Sequence, residues 1–214
     1  MTALYGVYGA GGCGRGILPL LREQVGKETR IVFIDDEAKT GALNGHPVWT
    51  WQHFLEEETE DRAVCIAIAN SRARERLYCR AIEVGVRVVG VRASNVVEMD
   101  NVTIGPGSVL SPFVTLTSNI GIGRCFQANL YSYVEHDCRI GDYVTFAPAV
   151  RCNGNVHIHD HAYVGTGALL RQGTAEKPLV IGEGAVVGMG AVVTRDVAPG
   201  ATVVGNPARP LVKG

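Results

Sequence analysis

The second half of the chain repeats apolar residues every six positions, and this period constrains the fold more than any other feature. Counted in sixes from Ile104, the first position is apolar in twelve consecutive hexads. These residues are Ile104, Leu110, Leu116, Ile122, Ala128, Val134, Ile140, Phe146, Cys152, Ile158, Val164 and Leu170. The fifth position, from Ser108 to Thr174, is small or apolar throughout, and the charged residues fall between these two positions.

A period of six matches neither an α-helix, whose period is 3.6, nor a simple strand, whose period is 2. It is typical of a short strand followed by a turn, three of which close one coil, so that residues 18 apart stack. We therefore predict an all-β left-handed parallel β-helix over residues 94–214. The register breaks at residues 174–180 and resumes at Ile181. This break predicts a loop extruded from the coil, and such loops often carry function.

The first half, residues 1–93, alternates strand-like and helix-like segments. Strands are expected at residues 3–9, 29–36, 63–70 and 86–91, with helices at 15–26 and 71–85. This order predicts an α/β Rossmann-like domain, with a small parallel sheet joined by right-handed crossovers.

Composition and charge exclude several classes of protein. The net charge of -1 provides no basic stripe for nucleic acid. The longest apolar run, residues 63–69, is far shorter than the ~20 residues of a membrane span. The N-terminus lacks the basic start and apolar segment of a secretory signal. The six cysteines are scattered without a C-x-x-C pair. We therefore expect a reduced, cytoplasmic protein with no nucleic-acid partner and no membrane insertion.

His136 is the candidate for chemistry that the repeat itself singles out. It is the third residue of its hexad, and the same position one coil later is Gly154. Glycine leaves the backbone N–H of its turn open to a ligand. A base beside an exposed backbone donor is the geometry that acyl transfer needs. The alternative is an idle surface histidine beside a turn glycine.

Three further histidines, His157, His159 and His161, alternate like a metal clip. None is at an inward first or fifth position, so all three are expected to project outward. Zinc requires ligands that converge tetrahedrally. Solvated or interface histidines are therefore favoured, and no metal site is predicted.

The N-terminal glycines Gly9, Gly11 and Gly14 form a G-x-G-x-x-G pattern between a strand and a helix. Alone this is a weak dinucleotide signal, because four strands make only half of a dinucleotide fold. Ala69 and Asn70 end the third strand and are expected at the same crevice, since α/β ligands bind at the carboxyl ends of strands. A pyridine-nucleotide oxidoreductase and a purely structural turn both remain open.

Five motifs follow one another in a recognisable order: "VYGAGGCGRG", "FIDD", "VEHDCRIGD", "RCNGNVHI" and "VVGNPARPL". Together they cover nearly the whole chain. The chain resembles the bacterial nucleotide-sugar acyltransferases of the sialic-acid O-acetyltransferase-like group, which includes N-acetyltransferases of UDP-4-amino sugars and of GDP-perosamine. The repeat alone fits many acyltransferases, whereas its combination with this N-terminal half is much more specific.

The resemblance implies a role for each matching residue. His136 would be the general base, Asp137 would raise its basicity, and the Gly154 turn would supply the oxyanion donor. The nucleotide and sugar would contact Gly11, Gly12, Cys13, Asp35, Asp36, Ala69, Asn70 and Asn129. Acetyl-CoA would contact Thr145, Gly154, Thr166, Met189, Gly190, Gly205 and Pro207. Thr145 is a departure, because some relatives carry a second histidine at its place.

The resemblance also implies a homotrimer with the acetyl-CoA groove between subunits. The predicted function is acetyl-CoA-dependent N-acetylation of the amino group of a nucleotide-linked amino sugar, of the UDP-4-amino-4,6-dideoxy type. The transfer would be direct, with no acylated residue and no metal. The alternatives are a sugar O-acetyltransferase of the sialic-acid type and a metal-binding solenoid resembling γ-class carbonic anhydrases.

Overall fold

A computed structural model describes residues 3–37 and 41–211 of the chain. The chain divides into two compact units, residues 1–92 and 93–214. Within the described ranges, no helix is long and apolar enough to cross a membrane.

Over residues 3–37 and 41–92, the first unit is an α/β domain with three helices and one sheet. Its strands are β1 (Leu4–Tyr8), β2 (Arg30–Ile34), β3 (Gly41–Leu43), β4 (His46–Trp49), β5 (Arg62–Ile66) and β6 (Arg87–Val88), followed by a separate short strand β7 (Val91–Arg92). Its helices are α1 (Gly12–Val25), α2 (Trp51–Glu56) and α3 (Ser71–Glu83). The strand order is β3-β4-β2-β1-β5-β6, and every neighbouring pair is parallel except β3 and β4. The four predicted strands are present as β1, β2, β5 and β6.

The hairpin of β3 and β4 was not predicted, so the expectation of a four-stranded sheet was wrong. The hairpin turns at Asn44 and Gly45, whose φ angles are 50° and 78°. Asn-Gly with two positive φ angles is the preferred two-residue connection between antiparallel strands. The sheet is therefore wider than the periodicity of the long apolar runs indicates.

Glycine at the end of β1 allows close packing of the first helix. A Cβ atom at Gly14 would lie 1.7 Å from the carbonyl oxygen of Gly9. Gly9 itself has a φ of 116°, in the region that side chains disfavour. These two glycines of the G-x-G-x-x-G pattern therefore bring α1 directly onto the end of β1.

The second unit is a parallel β-helix with three faces. Its strands are β8 (Val97–Glu98), β9 (Val102–Ile104), β10 (Val109–Leu110), β11 (Thr115–Leu116), β12 (Ile120–Ile122), β13 (Gln127–Ala128), β14 (Tyr133–Val134), β15 (Arg139–Ile140), β16 (Thr145–Phe146), β17 (Arg151–Cys152), β18 (Val156–Ile158), β19 (Tyr163–Val164), β20 (Leu169–Leu170), β21 (Leu179–Ile181), β22 (Val186–Val187), β23 (Val192–Val193), β24 (Thr202–Val204) and β25 (Arg209–Pro210). One face carries β10, β13, β16, β19, β22, β24 and β25, a second carries β8, β11, β14, β17, β20 and β23, and the third carries β9, β12, β15, β18 and β21. Paired residues such as Gln127 and Thr145 are 18 apart. The predicted stacking of the coils is confirmed.

The inside of the β-helix follows the predicted hexad. Every first-position residue from Leu110 to Leu170 is buried, and only Ile104, on the first coil, is partly exposed. The fifth-position residues are also buried, except Thr174, which lies in the extruded loop. Two small polar residues inside the coils, Ser108 and Ser132, each accept a backbone N–H from the next coil at 3.2 Å. The thin core is therefore mainly apolar, and the hydroxyls of these two serines are hydrogen-bonded.

The fourth position of each hexad forms a corner of the coil in the left-handed backbone conformation. From Asn101 to Gly167 the φ angles at this position range from 51° to 73°. Asparagine, aspartate and glycine tolerate this conformation better than other residues do. Asp137, with a φ of 59°, is one of these corner residues, so its backbone is fixed directly after His136.

The predicted loop is present where the register breaks. Val156 pairs with Leu179, 23 residues further on, instead of the usual 18. Gly173 donates its N–H to the Gly154 carbonyl at 2.9 Å, and a Cβ atom on Gly173 would lie 2.3 Å from the Asn155 carbonyl oxygen. The coil therefore continues to Gly173, and residues 174–178 leave it directly after the turn that stacks on Gly154.

Candidate active site

His136 and Asp137 form a hydrogen-bonded pair at a corner of the β-helix. The Nδ1 atom of His136 lies 2.8 Å from the Oδ2 atom of Asp137. An ionised carboxylate only accepts hydrogen bonds, so Nδ1 carries the proton and donates it. In the neutral imidazole, the Nε2 atom then keeps its lone pair. Both side chains are partly open to solvent, with 42 % and 47 % of their surfaces exposed. The pair can therefore accept a proton from an incoming ligand at Nε2.

Gly154 lies directly against the His136 ring, as the stacking of hexads predicted. A Cβ atom at Gly154 would be 2.5 Å from the Cε1 atom of His136 and 2.6 Å from Nε2. Only glycine leaves room for the imidazole in this position. Among residues 3–37 and 41–211, none accepts a hydrogen bond from the Gly154 N–H. The site thus combines a basic nitrogen with an adjacent backbone donor.

Asp137 is held from two sides. Its Oδ2 atom faces His136, and its Oδ1 atom accepts a hydrogen bond from Nδ2 of Asn119 at 3.2 Å. The hydrogen bond from His136 lowers the pKa of the Asp137 carboxyl below its ordinary value, and the bond from Asn119 acts in the same direction. Asp137 is therefore ionised at neutral pH and presents a negative charge to the imidazole.

A different corner carries most of the residues predicted to contact acetyl-CoA. Gly190 donates its N–H to the Thr166 carbonyl at 2.8 Å, so Thr166, Met189 and Gly190 are neighbours on adjacent coils. Met189 is 81 % exposed. Gly205 follows on the next coil and accepts the N–H of Val192 at 2.9 Å. We call this edge the Thr166 corner and the edge with His136 and Gly154 the His136 corner.

The two corners lie on opposite edges of the face that carries β14. The coil passes through Leu130 and Tyr131 at the Thr166 corner, along β14, and into the His136 corner. One chain therefore brings together His136, Asp137 and Gly154, but it separates them from Thr166, Met189, Gly190 and Gly205 by the width of a sheet.

The other predicted contacts in this unit are less uniform. Asn129 is exposed before the Thr166 corner, and its Oδ1 atom accepts the N–H of Leu130 at 2.8 Å. Thr145 is only 7 % exposed on β16. Pro207 is exposed beyond Gly205 and follows a cis peptide bond.

In the first unit, the predicted nucleotide contacts are at the carboxyl end of the sheet. Around Gly11 and Gly12, no residue other than their neighbours along the chain comes within 3.8 Å of where a Cβ would lie, and Cys13 is exposed beside them at the start of α1. Asp35 follows β2, and its Oδ1 atom accepts the N–H of Glu37 at 3.1 Å. The glycine turn is thus open to a ligand that approaches the N-terminus of α1.

Asp36 is already engaged in a polar cluster. Its Oδ2 atom accepts from the Tyr8 hydroxyl at 2.6 Å and from Arg80 at 2.7 Å, and its Oδ1 atom accepts the Trp51 N–H at 2.9 Å. Burial alone would raise the pKa of Asp36, but the hydrogen bonds from Tyr8, Trp51 and Arg80 outweigh it and lower the pKa. Burial and the bond to Asp36 raise the pKa of Tyr8. Sequence reasoning found Asp36 but not the Tyr8 and Arg80 that hold it.

The loop after β5 is held by a buried arginine that the sequence did not reveal. Arg74 is fully buried and donates to the carbonyl oxygens of Ile68 at 2.7 Å and Ala69 at 3.1 Å. Asn70 caps α3, since its Oδ1 atom accepts the N–H of Ala73 at 2.8 Å. The predicted contacts Ala69 and Asn70 are therefore rigidly placed at the strand end.

The expectation that all three clustered histidines project outward was wrong for His161. His159 is exposed and His157 is partly exposed, but His161 is only 9 % exposed and stacks on Tyr143 at 5.2 Å. Burial and the nearby charges of Arg139 and His159 lower the pKa of His157. No group of three potential metal ligands converges in the described part of the chain.

The chain is similar to known acetyltransferases in both sequence and structure. Residues 6–81 match the family model described as the PglD N-terminal domain. The GDP-perosamine N-acetyltransferase of Escherichia coli O157:H7 is 46% identical over 212 residues, covering 97% of this chain and 96% of that protein. WeeI from Acinetobacter baumannii AYE superposes with a TM-score of 0.96 at 55% identity, covering 98% of this chain and all of that one. PerB from Caulobacter crescentus, crystallised with CoA and GDP-perosamine, superposes with a TM-score of 0.85 at 28% identity, covering 98% of this chain and 97% of that one.

The relatives that match almost the whole chain are acetyltransferases, and the β-helix with a histidine against an open glycine turn is consistent with that class, so the chain is a hexapeptide-repeat acyltransferase. The sequence identity with the GDP-perosamine N-acetyltransferase extends over almost the full length of both proteins, so it identifies one family within this class. The chain belongs to the family of nucleotide-sugar N-acetyltransferases that includes the GDP-perosamine enzyme.

Proposed function

We propose that the chain transfers the acetyl group of acetyl-CoA to the amino group of a nucleotide-linked amino sugar, with His136 as the general base. The observation that carries this proposal is the position of the imidazole. Its Nδ1 atom is held by Asp137 at 2.8 Å, and the ring lies against Gly154. The names of the relatives supply the substrates, namely GDP-perosamine and CoA.

The proposed reaction has one transfer step and no acylated residue. The sugar nitrogen attacks the thioester carbonyl carbon, and a C–N bond forms as the C–S bond breaks. The amine proton passes to Nε2 of His136, and the imidazolium then returns a proton to the departing CoA thiolate. The Gly154 N–H stabilises the oxyanion of the tetrahedral intermediate. A positioned base of this kind contributes about 10²–10⁴-fold to the rate.

The proposed acceptor is a nucleoside diphosphate 4-amino sugar. The nucleotide would lie at the open glycine turn of Gly11, Gly12 and Cys13, with Asp35 beside it. Asp36 would act by holding Tyr8 and Arg80 in place. The family resemblance led to the prediction of a UDP-linked sugar, whereas the relative with 46% identity is named for GDP-perosamine. We therefore test both nucleotides.

The test is release of free CoA thiol from acetyl-CoA with a panel of acceptors. The panel contains GDP-perosamine, UDP-4-amino-4,6-dideoxy sugars, dTDP-4-amino sugars and free sialic acid. We expect turnover with at least one nucleotide-linked 4-amino sugar and none with sialic acid. Thiol release with sialic acid alone would refute the proposal and indicate O-acetylation.

The proposed active form is a homotrimer of left-handed β-helices. The Thr166 corner and the His136 corner lie on opposite edges of one face, so in the proposed trimer the Thr166 corner of one subunit would face the His136 corner of the next. Exposed apolar side chains, including Met189 at 81 % and Tyr131 at 62 %, support a subunit interface. Sedimentation at micromolar concentration should give three times the monomer mass.

All six cysteines are free, which supports a location in the reducing cytoplasm.

A further inference from the structure

A line of side-chain hydrogen bonds runs along the His136 corner and ends on the base. Asn101, Asn119 and Asp137 occupy the fourth hexad position in three consecutive coils, with φ angles of 54°, 58° and 59°. The Nδ2 atom of Asn101 donates to Oδ1 of Asn119 at 2.9 Å. Asn119 Nδ2 donates to Asp137 Oδ1 at 3.2 Å, and Asp137 Oδ2 accepts from His136. We call Asn101, Asn119 and Asp137 the amide ladder.

The chemistry of these groups allows only one direction of donation. Asp137 is an acceptor, so Asn119 must turn its NH2 group towards it. The carbonyl oxygen of Asn119 then points away from Asp137 and requires a donor, which Asn101 supplies. The amide orientations of the ladder therefore follow from the hydrogen-bond network itself.

The ladder is specific to the corner that carries the base. At the other two corners the fourth-position residues with positive φ are glycine, alanine, cysteine, histidine, phenylalanine or tyrosine, including Phe113 and Tyr131. Asn95 precedes Phe113 by one coil and accepts its backbone N–H at 3.3 Å, but it makes no side-chain ladder there. The residues with positive φ adopt the same backbone conformation, although aromatic side chains tolerate it less well than asparagine does. Tolerance of the turn alone therefore does not explain why the asparagines occur at the His136 corner.

We propose that Asn119, held by Asn101, is a positioning residue for acetyl transfer. It occupies one oxygen of Asp137 so that the other faces the imidazole, which keeps the proton on Nδ1 and leaves Nε2 as the acceptor. This inference rests on the proposed function of His136 as general base. A residue that orients a partner of the base acts on kcat, and it leaves the binding of acetyl-CoA unchanged.

Two substitutions separate positioning from a structural role. Asn119→Asp keeps the shape, the tolerance of positive φ and the acceptor for Asn101, but it places a carboxylate against Asp137. Asn119→Gly removes the side chain and keeps a backbone suited to the corner. We expect kcat to fall about tenfold in Asn119→Asp, because like charges turn Asp137 away, and about threefold in Asn119→Gly. The KM for acetyl-CoA should not change.

If Asn119 had only a structural role, kcat would fall more in Asn119→Gly than in Asn119→Asp, because Asn119→Asp retains more of the native packing. Wild-type kcat in both variants, or a lower kcat in Asn119→Gly than in Asn119→Asp, would overturn the inference. As a matched control, Asn101→Gly makes the same change one coil further from the base and should alter kcat less than Asn119→Gly does. A loss of kcat in Asn101→Gly as large as that in Asn119→Asp would contradict the inference that Asn119 is the positioning residue.

A spectroscopic measurement does not depend on turnover. In ¹⁵N-resolved imidazole spectra, the wild type should show His136 with the proton on Nδ1 in its neutral form, and Asn119→Asp should shift the population towards Nε2–H. An unchanged tautomer would refute the inference. An inactive His136→Ala enzyme with fully active Asn119 variants would reject the ladder alone, whereas an active His136→Ala enzyme would reject the proposed function.

Discussion

Replacing Gly154 with alanine tests the geometry of the site with a single methyl group. The new Cβ atom would lie 2.6 Å from Nε2 of His136 and 2.5 Å from Cε1. An unstrained contact needs about 3.6 Å, so the ring must move by roughly 1 Å. The partly exposed imidazole can swing towards solvent, and the backbone of Gly154 is not in the left-handed region. The fold should therefore tolerate the change while the base is displaced.

A misplacement of about 1 Å at the reacting groups costs about 100-fold in rate, or about 2.7 kcal/mol of transition-state stabilisation. The backbone N–H survives in alanine, so the loss would come from the displaced base. The assay is steady-state release of CoA thiol at saturating amino sugar, with the melting temperature measured in parallel. The matched control is Gly121→Ala on β12, where the nearest atom to a new Cβ is Thr103 Oγ1 at 3.8 Å. A Gly154→Ala enzyme within threefold of the wild-type kcat would refute the placement of His136.

Three further changes test the electrostatics and the stability of the two units. In Asp137→Asn, the amide can present its NH2 group to His136 and favour the wrong tautomer, so kcat should fall by about tenfold or more with the KM for acetyl-CoA unchanged; a wild-type kcat would contradict the role of the carboxylate. The pKa of Asp36 in the folded protein is below its unfolded value of about 3.9. The ionised carboxylate therefore stabilises the fold above about pH 3.9, and this stabilisation is lost as the pH falls through the folded pKa. Asp36→Asn should therefore lower the free energy of unfolding at pH 7 by about 0.5–1 kcal/mol after solvent screening, and urea denaturation should show the difference narrowing below about pH 4; a constant difference would argue against the ion pair. Arg74→Met should lower the free energy of unfolding by about 3 kcal/mol, because the carbonyl groups of Ile68 and Ala69 lose their fully buried donor. Arg72→Met, on the exposed face of the same helix, should cost less than about 0.5 kcal/mol. Equal losses in the two variants would show that burial of Arg74 is not the cause.

The β-helix and the core of its site could be predicted because both follow from one period. The hexad fixes which residues are 18 apart, so the placement of His136 over Gly154 needed no knowledge of side-chain partners. The buried first and fifth positions followed from the same count. The extruded loop was found because the period fails there.

The features that were missed depend on which side-chain atoms meet, and the period does not give this. Asn119 and Asp137 are 18 residues apart, so the hexad count stacks them, but it does not show that their side chains hydrogen-bond. Arg80 reaches Asp36 in the first unit, where there is no repeat to count. His161 stacks on Tyr143, which is 18 residues earlier, but the count of hexad positions does not show that this contact buries the imidazole.

Two signals were available in the sequence. The Asn44-Gly45 dipeptide indicates the hairpin, and the asparagine and aspartate residues at the fourth position of the His136 corner, from Asn101 to Asn155, indicate a left-handed backbone there.

The most direct test of the account is the rate of acetyl transfer by His136→Ala, measured with the acetyl-CoA affinity of the same protein. The account predicts at least about a 100-fold loss of kcat with the dissociation constant for acetyl-CoA unchanged within about threefold, because the ring contributes proton transfer and little binding. A variant that retains more than about a tenth of the wild-type rate would contradict general-base catalysis by His136.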